Sequence, residues 1–114
     1  MSPTAPQAAN EARGIELRPG ADGGLAVVGE LTFKTARVAC AVGEQALRTL
    51  SPSKRVRIDC AGVERADSAG VAVLIEWLRL ARRSGRDIQY VNLPASVLAI
   101  ARISELDKLL LADP

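Results

Sequence analysis

The sequence has 114 residues, which fits one domain around one core. Its formal charge is +2 with 25% charged residues, a slight excess that excludes the concentrated basic face of a nucleic-acid binder. It contains no histidine, which removes the usual general base, the commonest metal ligand and any Ser–His pair.

The chain is 48% hydrophobic but has a single Phe, Trp and Tyr. Its core must therefore be aliphatic and Ala-rich, with helices lying close to what they cover. Cys40 and Cys60 fall on apolar faces and read as buried thiols in a reducing cytoplasm. No apolar run approaches the ~20 residues of a membrane span, and the N-terminus lacks the pattern of an export signal.

Residues Met1 to Arg13 are small, polar and Pro-containing, and are expected to be a disordered tail before a domain over residues 14–114. Ile15–Leu17 and Leu25–Val28 are short strand candidates. The turn formers between them predict a hairpin. Thr32 is placed to cap a helix from Phe33 to about Leu50. Its spacing gathers Phe33, Ala36, Ala39, Cys40, Gly43, Ala46, Leu47 and Leu50 on the core side. Lys34, Arg37, Glu44, Gln45 and Arg48 point outward, together with Val38 and Val42.

Arg55 to Cys60 alternates apolar and polar, as a half-buried strand does. That alternation predicts a sheet covered by helices mainly on one side. Ser68 to about Arg83 is helical in spacing. Val71, Leu74, Ile75, Leu78 and Ala81 form its core stripe, and Val73, Trp77 and Leu80 a second stripe. The second stripe either packs on a neighbouring helix or forms an exposed site anchored by Trp77, a residue enriched at binding hot spots. Gly85 suits the helix stop. Ile88 to Leu93 is the fourth strand, Pro94 to Ile103 a third helix, and Leu106 to Leu111 a final helix or strand. The order describes a small α/β sandwich with a mixed sheet, its last strands parallel.

The chemistry converges on Asp67-Ser68-Ala69-Gly70, at the junction of strand and second helix. Asp and Ser are good N-caps because their side-chain oxygens accept from amides the helix leaves unpaired. Ala69 and Gly70 leave the first turn nearly bare. Such a tip can bind an anion, present a hydroxyl to a kinase, or dock closely on another protein. The plain alternative is that these residues only cap the helix. No P-loop is present, and no cluster has metal spacing. Asp59, Glu64 and Asp67 lie near one another, but three acids around a strand end ordinarily solvate a loop. No enzyme activity, cofactor or metal is expected.

Several runs resemble a STAS domain: Leu25-Ala-Val-Val-Gly-Glu-Leu-Thr32, Val56-Arg-Ile-Asp-Cys-Ala-Gly-Val63, Ala66-Asp-Ser-Ala-Gly-Val-Ala-Val-Leu74, Ala81-Arg-Arg-Ser-Gly85 and the last helix from Pro94. The resemblance covers nearly everything after Gly14 and implies the fold of the anti-sigma factor antagonist SpoIIAA. Two branches differ at the turn. Anti-sigma factor antagonists carry their kinase target directly before the Gly, where this chain has Ala69. The MlaB-like branch has Asp-Thr-x-Gly, with the hydroxyl directly after the Asp, a pattern that Ser68 and Ala69 match. That branch implies a non-catalytic cytoplasmic subunit of an Mla phospholipid ABC transporter, peripheral to the inner membrane. It would bind the ATPase, and the permease indirectly, with no membrane insertion of its own. The implied partner-binding set is Asp67, Ser68, Ala69, Gly70, Val73 and Trp77, with Ser68 as the hydroxyl a kinase would reach.

Overall fold

The computed structural model describes residues 14–111, so the expected N-terminal tail lies outside the described residues. Strand β1 (Ile15–Pro19) and strand β2 (Leu25–Leu31) form the antiparallel hairpin, with Ile15 opposite Gly29. Helix α1 (Ala36–Thr49) then crosses to β3 (Arg55–Ala66), which runs parallel to β2. Helix α2 (Ser68–Arg83) crosses to β4 (Asp87–Val91), again parallel. Two short helices, α3 (Ala95–Ile103) and α4 (Asp107–Leu111), close the described chain. The sheet order is β1-β2-β3-β4.

All four helices lie on one face, because α2 touches each of the other three and they pack on the sheet beneath. The period-2 alternation of the strands supplies that face with Ile15, Leu17, Leu25, Val27, Val56, Ile58, Cys60, Ile88 and Tyr90, all buried. Arg18 and Arg57 are exposed on the opposite face. The core is aliphatic, and each fully buried Leu, Ile or Val contributes about 1.5–3 kcal/mol. Of the polar groups inside, the Tyr90 hydroxyl donates to the Leu74 carbonyl at 2.7 Å, whereas the buried Ser51 hydroxyl has no partner among the described residues. No described helix is long and apolar enough to cross a membrane.

The structure corrects several details. β3 does not stop at Cys60 but continues to Ala66, pairing Gly62 with Val28 and Ala66 with Leu31. Register shifts between β2 and β3 absorb the irregular stretch, which is why no clean alternation marks it. The turn before α2 is a single residue, Asp67. Helix α1 begins at Ala36 rather than Phe33, and Thr32 does not cap it. Instead Thr32 and Thr35 close a turn: the Thr32 amide donates to Thr35 Oγ1 at 3.0 Å, and that hydroxyl donates to the Glu30 carbonyl at 2.8 Å. Phe33 therefore leaves the core side and is 73% exposed. Leu50, past the other end of α1, is also exposed. Val38 and Val42 are half-buried and pack on the core, because α1 rests on both β1 and α2 and so buries a wide arc.

Candidate functional site

β2 and β3 are parallel, so their carboxyl ends, Leu31 and Ala66, emerge side by side. The turn into α1 and the first residue of α2 therefore meet at one edge of the molecule. The carboxyl ends of parallel strands are where α/β folds commonly build sites.

Asp67 ties the two segments together. Its Oδ1 accepts from the amides of Ala69 at 2.9 Å and Gly70 at 3.1 Å, capping α2. Its Oδ2 accepts from the amide of Phe33 at 3.1 Å. Its own amide donates to the Leu31 carbonyl at 3.1 Å. Desolvation pushes the carboxyl pKa up, but the amides of Phe33, Gly70 and Ala69 together outweigh it and hold it below the usual 3.8. The amides that would receive an anion at this helix end are thus already occupied by Asp67. The carboxylate is a structural clasp, not a free base.

Gly70 is buried, and a methyl group there would run into the Leu31 carbonyl. Its role is close approach of α2 to the end of β2, not contact with a partner. Ser68 is exposed and Ala69 is half-buried. The tip therefore presents Ser68 outward, with Phe33 beside it on the other side of the Asp67 clasp.

Below the tip, α1 and α2 leave an open cleft of about 630 Å³. Its walls are mostly small, with Ala36, Cys40 and Ala41 facing Ala69, Ala72 and Val73, and Arg37, Glu44 and Glu76 at the rim. Val73 is buried at the floor of this cleft. Burial, and then the charge of Glu76, push the Cys40 thiol pKa up. Cys60 is sealed in the core, where burial and then Asp59 push its pKa up to about 12.

Of the two alternatives for the second stripe of α2, Trp77 takes the packed one, so it is a core residue and not an exposed anchor. It has no exposed surface, and its Nε1 donates to the Ala39 carbonyl at 3.1 Å. Gly43 on α1 makes room, since a methyl group there would overlap the indole. The second stripe of α2 is therefore the seam against α1. The aromatic residue that the surface does offer is Phe33. Its helical spacing concealed it, because nothing in that spacing reveals where the first turn of a helix gives way to a loop.

The neighbouring acids do not form a catalytic pair. Asp59 accepts from the Ala61 amide at 2.9 Å and from Asn92 Nδ2 at 3.1 Å. Those two bonds, in that order, hold its carboxyl below the usual range. It pins the loop after β4, while Asp67 pins the helix start. Among the described residues, no three Cys, Asp or Glu side chains gather as metal ligands.

A family profile described as "Mlab, STAS domain" matches residues 16–112. Among solved structures, the fold is similar to that of the anti-sigma factor antagonist SpoIIAA in its unphosphorylated form. The TM-score is 0.56 at 13% identity, covering 78% of this chain and 82% of that one. No curated protein matches the sequence.

Proposed function

The chain belongs to the MlaB-type STAS domain family, and from that premise we propose that it is a non-catalytic subunit that binds the ATPase of an Mla-type phospholipid ABC transporter. STAS domains of this kind act through protein–protein contact. In this reading the chain sits in the cytoplasm, held at the inner membrane by its partner, and supports assembly and activity of the transporter. Its contact surface is the helix tip, with Ser68 and Ala69 at the centre, Phe33 as the aromatic anchor and the α1–α2 cleft below.

The observation that carries this reading is the pairing of exposed Ser68 with 73% exposed Phe33 across one clasp. Aromatic residues are enriched at the desolvated centres of interfaces. A polar hydroxyl and small neighbours allow a second backbone to approach closely. Asp67 and Gly70 hold that surface in place from beneath.

The same fold serves an anti-sigma factor antagonist at 13% identity, a likeness of fold alone. Here Ala69 stands directly before Gly70 and offers no hydroxyl. A phosphate on Ser68 would add about two negative charges to the tip, turning a fitted contact into a repelled one.

Affinity purification of the tagged chain from membranes tests the proposal. Co-purification of an ABC ATPase with its permease is the expected result, and Ser68→Arg should abolish it without unfolding the chain. Recovery of a soluble kinase alone, with phosphate found on Ser68 by intact mass, would favour the antagonist reading instead.

A further inference from the structure

A second recess lies at the other end of α2, between α2 and α4. It encloses about 420 Å³ and is lined by Ile75, Leu78 and Leu109 with Arg79, Arg82 and Arg83. The floor is aliphatic, and among the described residues every charged side chain in the lining is a guanidinium. Leu109 stays 42% exposed although it belongs to that floor.

Two of the arginines hold exposed acids that lie outside the recess. Arg79 pairs with Glu76 at 2.9 Å and Arg82 with Asp87 at 3.3 Å. The Arg82 pair is a single long contact of the weak, solvent-reached kind, whereas Arg79 holds Glu76 with two bonds, at 3.1 and 2.9 Å. Arg83, in the last turn of α2, is exposed and has no ion-pair partner among the described residues. An arginine keeps five donors in a fixed fork suited to carboxylates.

From this lining we infer that the recess is a second docking site, for an acidic segment of a protein partner that inserts a leucine-sized side chain. The charge of the rim selects carboxylates, and the aliphatic floor selects the inserted side chain. A recessed slot suits an inserted side chain, whereas binding to a lipid surface relies on apolar side chains projecting into the acyl boundary. The site is separate from the helix tip. Ser68 and Arg83 are about 22 Å apart along α2, and the α2 residues of the recess face roughly a third of a turn away from those of the cleft. A partner that engaged both would gain from the high effective concentration of its second contact.

The test is a titration of the isotope-labelled chain, followed by backbone amide shifts. Three short helical peptides serve as probes: one of glutamate and leucine, one with lysine for glutamate, and one with serine for leucine. Vesicles of phosphatidylcholine with phosphatidylglycerol form the fourth arm. The glutamate–leucine peptide alone should shift residues 75–83 and 107–111. Arg83→Gln and Leu109→Ser should each weaken that binding on the order of fivefold, and Ser68→Arg should leave it unchanged. No shift, equal shifts with the lysine–leucine or glutamate–serine peptide, shifts centred elsewhere, or binding to the vesicles in preference to the peptide would each overturn the inference.

Discussion

Two of the three aromatics of the chain, Trp77 and Phe33, stand at opposite ends of the exposure range of the three. Trp77 has none of its surface exposed and Phe33 has 73%. Helical spacing leaves the first open, since Trp77 falls off the main core stripe of α2, and suggests the reverse for the second, since Phe33 falls on the core side of α1. The difference shows what periodicity omits. It places a residue around one helix axis but does not say which second helix lies alongside, or where the helix begins. Gly43 decides the first question, by leaving a gap on α1 that the indole fills. The turn closed by Thr32 and Thr35 decides the second, by delaying the helix to Ala36.

That contrast assigns Trp77 to stability and Phe33 to recognition, and variants can break it. Trp77→Ala should show the largest effect, a loss of about 3–5 kcal/mol in chemical denaturation. A cost under about 1 kcal/mol would mean that the seam between α1 and α2 is loosely packed.

Gly70→Ala should come next, at about 1–3 kcal/mol, because the added methyl meets the Leu31 carbonyl. Thermal unfolding measures it, and a neutral result would show that α2 slides away from β2 at little cost.

Asp67→Asn sharpens the role of the clasp. The folded carboxyl lies below its ordinary value, so its contribution is complete above the unfolded pKa and is lost as pH falls through the folded one. At neutral pH the substitution should lower stability, because Asn keeps one uncharged acceptor oxygen where Asp67 uses two charged ones, on Phe33 and on Ala69 and Gly70. The gap between wild type and variant should narrow as the pH falls through and below the ordinary carboxylate range. A gap that stays constant across an acid titration of stability would show that the charge of Asp67 is not what holds the tip.

Phe33→Ser should have the smallest effect on folding, within about 0.5 kcal/mol. A larger loss would return Phe33 to a packing role.

Much of the fold was legible because local chemistry and burial agree there. The hairpin follows from its turn-rich connection, and the faces of β3 and β4 from alternation. The start of α2 at Ser68 follows from the Asp67 cap, which needs only the amides two and three residues further on. What was not legible depends on contacts made across the chain. The extension of β3 to Ala66 rests on pairing with the end of β2 through two bulges in β3 itself. The inward turn of Gly70 rests on Leu31, and the link from Asp67 to Phe33 joins residues far apart in sequence. At the site, Ser68 and Ala69 could be identified from the sequence as surface candidates. Phe33 could not, although an aromatic two residues past the end of β2, directly after Thr32, is the signal that would have singled it out.

The most direct measurement is the affinity of the purified ATPase partner for wild type and for Phe33→Ser, by calorimetry, with thermal melts run alongside. The account predicts that binding weakens about tenfold or more while the melting temperature stays within a few degrees, about 3 °C at most. An unchanged affinity would contradict the assignment of this surface, as would a loss of binding that merely follows a loss of folding.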